Sequence, residues 1–319
     1  MRVVVTGAAG FIGGHVAEAM AQAGHEVLAV DALHRSAAPD AARDTWACLA
    51  DRAGVTLVET DLATDDLTKL ADADAVVHLA GRPGVRTSWG AGASVAERDN
   101  VTATRRLLAA CGAAAPGRRP RVMIASSSSV YGSADARPHR EDDPPRPASP
   151  YATTKVAVER LAARAAEEGL RTVTLRYFSV YGPRQRPDMA FHRFIEAARA
   201  GRPLPVFGDG GQSRAFTHVA DVTAATLAAA TADLPPGTVL NVGHPESVTV
   251  RDAIALLAGL LGVRPQVREQ APAAGDAART WADTTKAGRL LGWSARIGLA
   301  EGLADQVRWH HERRTEPAA

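Results

Sequence analysis

A chain of 319 residues, 46% hydrophobic and 23% charged, has the make-up of a globular protein with room for two domains. Its formal charge of +2, with no Lys/Arg block beside interleaved aromatics, argues against nucleic acid as a partner. Cys48 and Cys111 lack metal-ligand spacing and read as reduced thiols of a cytoplasmic protein, and the chain opens at once on a strand, with no signal segment or membrane span.

Apolar β-type runs then alternate with Ala-rich helical stretches. The expected strands are Val3–Thr6, Glu26–Asp31, Val55–Glu59, Ala75–Leu79, Arg121–Ser126 and Thr172–Arg176; the expected helices include Ile12–Ala23, Val95–Ala114 and Tyr151–Gly169. Continuous apolar strands separated by helices predict an α/β fold, a doubly wound parallel sheet of Rossmann type. Beyond Tyr177 the texture turns Pro- and Gly-rich through Gly182–Gly211, and Val239–Val242 reads as a strand returning to the sheet. From Pro245 the chain reads as mostly helical, with a frayed charged tail at Glu312–Thr315. The expected domains are therefore 1–176 with 217–244, and a smaller discontinuous lobe of 177–216 and 245–319.

The first strand runs into Gly7, Gly10 and Gly13 and then a helix. That spacing allows a tight turn, close approach of backbone to a pyrophosphate, and close helix–strand packing, with the helix N-terminus facing the phosphates. Asp31 ends the second strand, where a carboxylate hydrogen-bonds an adenosine ribose and repels a 2′-phosphate. The expected cofactor is NAD. His192, His218 and the His310–His311 pair lack ligand spacing, so no metal is expected.

Tyr151 and Lys155 stand at i,i+4 in a helix that begins after Pro150, so the phenol and the ammonium share a face. A cation and a helix N-terminus both favour the phenolate, whose ordinary pKa near ~10 makes it a poor base. Only three of the 37 basic residues are lysines, and Lys155 is one of them. Ser126–Ser129 end a strand at the carboxyl edge of the expected sheet, where α/β ligand sites form. A hydroxyl there can both donate to and accept from an oxygen that alternates between alcohol and ketone.

The T-G-x-x-G-x-x-G opening, Tyr151-x-x-x-Lys155 and Ser126-Ser-Ser-Ser-Val-Tyr-Gly132 resemble the extended short-chain dehydrogenase/reductase family, and within it the nucleotide-sugar 4-epimerases. The likeness runs nearly end to end. It implies that Tyr151 takes a proton from a sugar hydroxyl, that Lys155 binds the nicotinamide ribose and lowers the Tyr151 pKa, and that Ser127 hydrogen-bonds the reacting oxygen. Tyr151 and Lys155 would both touch the cofactor, along with Phe11, Ile12, Asp61, Leu62, Leu79, Ala80, Gly81 and Asn100. A homodimer through the helices matching Val95–Ala114 and Tyr151–Gly169 is implied as well.

Dehydratases of this family carry Asp-Glu directly after the position of Ser127, and the decarboxylases carry Glu at the position of Ser129. Here Ser128 and Ser129 stand instead and become candidate substrate contacts. The segment Tyr177–Phe191 resembles that of UDP-glucuronate 4-epimerases, in which Ser179 and Arg186 would bind the C6 carboxylate. A guanidinium fork suits such a group. By the same resemblance Arg214 and Arg279 would bind the nucleotide diphosphate, Gln212 the ribose, and Arg86 would lie in a substrate-side loop. The reading is a UDP-glucuronate 4-epimerase with retained NAD. UDP-glucose or UDP-N-acetylglucosamine 4-epimerase is the runner-up, and UDP-glucuronate decarboxylase stands behind that.

Overall fold

The computed structural model describes residues 1–134 and 137–315. Its first six strands are β1 (Arg2–Thr6), β2 (Glu26–Asp31), β3 (Val55–Glu59), β4 (Ala75–His78), β5 (Arg121–Ser127) and β6 (Thr172–Tyr177). Four short strands follow, β7 (Val180–Tyr181), β8 (Leu204–Phe207), β9 (Ser213–Arg214) and β10 (Thr217–His218), and then β11 (Thr238–Val242), β12 (Val248–Thr249) and β13 (Val267–Gln270). The helices are α1 (Phe11–Gln22), α2 (Pro39–Ala50), α3 (Ala91–Ala96), α4 (Ala103–Ala113), α5 (Pro150–Glu167), α6 (Ala190–Arg199), α7 (Val219–Thr231), α8 (Val250–Leu261), α9 (Thr285–Leu291) and α10 (Leu299–Thr315).

Among the described residues, seven strands form one parallel sheet in the order β11-β6-β5-β4-β1-β2-β3. The expected doubly wound sheet is therefore present. Successive side chains of a strand face opposite ways, so Val3 and Val5 enter one core with α1 and α7, while Val4 enters another with α4 and α5. The strand order reverses between β1 and β4, and a crevice opens at the carboxyl ends of strands at such a point. Register aligns Thr6 with His78 and Ser127 with Tyr177 along that edge.

A third core joins Phe191, Phe194 and Ile195 of α6 to Leu204 and Val206 of β8, Leu257 of α8, and Leu303 and Val307 of α10. Two-stranded pairings β12–β9 and β13–β8 tie the last quarter of the chain to the 204–214 region. α9 packs instead on the main core, through Ala287 and the buried Trp293 beyond it.

Three features differ from the sequence expectation. The helix expected over Val95–Ala114 is broken by a wider π turn at Glu97–Thr102. β13 stands within a stretch that reads as helical. The charged tail continues α10 to Thr315, where Arg313 pairs with Asp44 and stacks on Trp309. Residues 316–319 of the expected lobe lie outside the described residues. Among the described residues, no helix is long and apolar enough to cross a membrane.

Candidate active site

The β1–α1 turn is built of backbone. A side-chain carbon on Gly13 would lie 1.9 Å from the Gly7 carbonyl oxygen, and one on Gly7 would lie 2.6 Å from the Ala80 nitrogen. Gly7 also takes a φ of +73°, which other residues rarely adopt. No side chain caps α1, so its first amides face the cleft as an anion-binding end. Asp31 accepts from the Ala9 amide at 2.9 Å, which fixes the loop against the end of β2. Burial pushes the Asp31 carboxyl up, and the Ala9 and Ala32 amides oppose the shift.

This cleft is lined by Gly7, Gly10, Phe11, Ile12 and Gly13 on one side and by Asp61, Leu62, Leu79, Ala80 and Gly81 on the other. Burial would raise the Asp61 carboxyl, but hydrogen bonds from Arg98 and the Ala63 amide hold it below the usual range. Asn100 does not line the cleft. It is buried in the π turn, where its amide accepts from Arg82 N at 2.7 Å and donates to Thr154 Oγ1 at 2.9 Å. It therefore supports the Gly81–Arg82 wall from behind. Arg35 also lines the cleft, and its guanidinium is turned toward Asp99 at 3.3 Å. A cradle that a single methyl would fill, an uncapped helix end and a carboxylate at the ribose position fit a dinucleotide.

α5 starts where the sequence places it: Pro150 occupies the first turn and Ser149 caps it, accepting from Ala152 N at 3.1 Å. Tyr151, Lys155 and Ser127 all line the same cleft. Lys155 donates to the Ala125 carbonyl at 2.9 Å, and its nitrogen stands 6.0 Å from the Tyr151 ring centre. Burial pushes the Lys155 ammonium down to about 8, with Glu159 opposing. Burial also raises the Tyr151 phenol, opposed by a hydrogen bond with Ser127 and by the charge of Arg186. The net shift of the phenol is upward, with Ser127 and Arg186 opposing it. Glu159 holds Arg176 through two bonds of 2.9 and 2.7 Å and accepts from Ser126 Oγ.

The substrate-side candidates divide between two adjoining cavities. Ser179 lines both, with a strained φ of +32°. Arg186 lines the first, where a bidentate pair with Asp188 at 2.9 and 3.0 Å holds its guanidinium. The loop carrying Arg186 is pinned by buried Gln185, which accepts from Gln306 of α10 at 2.9 Å, and by Arg184, bound to Glu18 of α1 at 2.9 and 2.8 Å. Arg86, Gln212 and Arg214 line the second cavity. Arg86 stacks on Phe207 at 4.4 Å, and burial lowers its pKa. Gln212 donates to the Phe207 carbonyl at 2.9 Å, and Arg214 pairs with Asp276 at 2.7 Å.

Three candidates stand apart from these cavities. Arg279 lines neither: it stacks on Trp281 at 4.4 Å, and its Nε is buried without a hydrogen-bond partner among the described residues. Ser128 is buried, and Ser129 turns its hydroxyl to Ser127 at 2.9 Å. Sequence reasoning missed Arg193, Phe207, Asp188 and Asp276. Arg193 lines the second cavity, its guanidinium 6.0 Å from the Phe207 ring centre. No local sequence pattern marks it, because only the packing of α6 on β8 brings it to Phe207. Among the described residues, no cluster of three or more His, Cys, Asp or Glu side chains is arranged to hold a metal ion.

The family model described as NAD dependent epimerase/dehydratase matches residues 3–243. The chain belongs to this family. It is 35% identical over 315 residues to the Bacillus subtilis protein named uncharacterized UDP-glucose epimerase YtcB, covering 97% of this chain and 98% of that one. To the UDP-glucuronate 4-epimerase of Thermodesulfobacterium geofontis it is 33% identical, over 97% of this chain and 96% of that one. The fold is shared with the crystal structure of UDP-glucuronic acid 4-epimerase from Bacillus cereus in complex with UDP-glucuronic acid and NAD. There the TM-score is 0.93 and the identity 36%, over 98% of this chain and all of that chain.

Proposed function

We propose that the chain inverts C4 of UDP-glucuronate, giving UDP-galacturonate through a transient 4-ketone with NAD retained in the cleft. The observation that carries this reading is Arg186 lining the same cleft as Tyr151, Lys155 and Ser127. The named relatives from Thermodesulfobacterium and Bacillus cereus support it.

Gly7, Gly10, Phe11, Ile12 and Gly13 would hold the cofactor's phosphates and Asp31 its ribose, and bound NAD supplies the hydride acceptor and donor. Tyr151 takes the proton of the 4-hydroxyl and later returns one, while Ser127 keeps a hydrogen bond at that oxygen. Lys155 positions the nicotinamide ribose. Arg86, Gln212, Arg214 and Arg279 hold the nucleotide end. Ser179 and Arg186 bind the carboxylate and keep its C5–C6 bond out of line with the ketone, since a β-keto acid so aligned would lose carbon dioxide. With serines at 128 and 129 in place of the acidic pair, elimination lacks its acid and base.

The lobe division 1–176 with 217–244, against 177–216 and 245–319, is part of this proposal. So are a cytoplasmic location and a homodimer packed through α4 and α5, which sedimentation in solution would test. Incubation with UDP-glucuronate and, separately, UDP-glucose, followed by NMR of the sugar C4 proton, tests the substrate. A galacturonate product from the first alone is expected. Turnover of UDP-glucose alone would favour the second reading, which the name of the Bacillus subtilis relative supports.

A further inference from the structure

The loops after β2, β3 and β4 meet around the first cavity, and one ionic network joins all three. Arg35 follows β2, Asp61 follows β3 and Arg82 follows β4, and each lines that cavity. The π turn at Glu97–Thr102 supplies the joining residues, Arg98 and Asp99. The Asp99 carboxylate takes three guanidinium groups, Arg98 at 2.7 Å, Arg35 at 3.3 Å and Arg82 at 3.4 Å. Arg98 turns its other nitrogen to Asp61. Arg82 also donates to the Arg35 carbonyl at 2.9 Å. Because β1 lies between β4 and β2 in the sheet, this bond crosses from one side of the glycine turn to the other.

Both ends of the crossing are held. Asn100 accepts from the Arg82 amide at 2.7 Å and donates to the Arg82 carbonyl at 3.2 Å, which leaves only the side chain free to swing. The Arg35 carbonyl belongs to a short helical turn, closed by a bond of 2.7 Å from the Arg35 amide to the Ala32 carbonyl. The Asp99 side chain is 12% exposed and that of Arg82 23%, so water and salt screen this pair less than an open surface pair. Asp31, at the ribose position, stands four residues before Arg35, so the crossing lies at the adenosine end of the cleft.

We propose that Arg82 is a positioning residue for the cofactor: it latches the loop after β2 to the loop after β4 over the adenosine end of bound NAD and slows its release. The inference rests on the reading that NAD is retained in this cleft. Release then requires the Arg82 side chain to leave the Arg35 carbonyl and Asp99, while the glycine turn and α1 stay in place.

The test is exchange of the retained NAD. Holoprotein is mixed with excess deuterium-labelled NAD and separated from free cofactor at intervals, and the bound NAD is read by mass spectrometry. R82M, which keeps the apolar stem, should exchange about tenfold faster than the parent, the scale of one lost hydrogen bond from a charged group. D99N should speed exchange about as much, and it carries the test should R82M not fold. R82K keeps a charged donor and should restore most of the parent's slow exchange, which a residue that merely filled space would not require. The double variant should fall short of the product of the two single effects, because both open one latch. Exchange in R82M and D99N no faster than in the parent would overturn the proposal, as would R82K exchanging as fast as R82M. A parent that exchanges within the mixing time would sink retention itself, and the latch with it. The measurement contains no sugar, so it stands apart from the substrate reading.

Discussion

The two halves of the cleft recognise their ligands by different means. The cofactor side is made of backbone: glycines packed until a single carbon would collide, an uncapped helix end, and one carboxylate tied to a loop amide. The substrate side is made of guanidinium groups, each already engaged by a protein partner. Arg186 is held by Asp188, Arg214 by Asp276, and Arg86 lies on Phe207. A backbone site is fixed in shape once the chain folds. A side-chain site trades internal partners for the ligand's charges, so its selectivity can change by substitution without loss of the fold.

The largest effect should come from the residue the halves share. Y151F should lower turnover by on the order of 10³-fold, within the range for loss of a general base, while the NAD content of the purified protein stays unchanged. Loss of NAD with activity would break the separation of roles.

Next, G13A places a carbon 1.9 Å from the Gly7 carbonyl, so the turn must shift. We expect NAD to be lost on purification and stability to fall by about 2 kcal/mol, measured by denaturant unfolding. An Ala that kept NAD would show that the cradle is softer than its contacts imply.

R186Q should act on the other half alone. It should reduce kcat/KM for UDP-glucuronate by about 100-fold, the scale of a lost charge-assisted bidentate contact, and leave NAD content unchanged. R193K should cost less than tenfold, because it keeps the charge and loses only the stacking on Phe207, worth about 1 kcal/mol. Comparable effects of R186Q on UDP-glucose would contradict the assignment of Arg186 to a carboxylate.

The smallest effect is a pH response that samples both halves. Buried His78, which bridges Thr6 and Thr104, is pushed down to about 3, first by burial and then by the Lys155 charge. His310 in α10 is pushed down to about 4, chiefly by burial. Below the ordinary value of 6.5 the unfolded chain binds protons that these native groups do not, so stability present above 6.5 is lost as the pH falls toward 4. The thermal midpoint should drop by several degrees between pH 7 and pH 5. An unchanged midpoint would mean that neither histidine is held neutral.

Much of the fold was legible because parallel strands buried on both faces read as apolar runs, and because glycines mark the turn that needs them. The Tyr151–Lys155 pair was legible as spacing. Its electrostatics was not, since the commitment of Lys155 to the Ala125 carbonyl and the burial of Tyr151 depend on how α5 lies against β5. The π turn at Glu97–Thr102 left no mark in an Ala-rich helix whose apolar period is blunt. Asn100 was placed among the cofactor contacts by resemblance, but its position behind Gly81 follows from that turn. Arg193 and Phe207 are brought together only by the packing of α6 on β8, which no local pattern encodes.

The most direct test of the central claim uses UDP-glucuronate carrying deuterium at C4, incubated in ordinary water with no added NAD. Hydride transfer to and from a retained cofactor predicts UDP-galacturonate that still carries deuterium at C4. Washing out of the label into solvent, or a requirement for free NAD at every turnover, would contradict it.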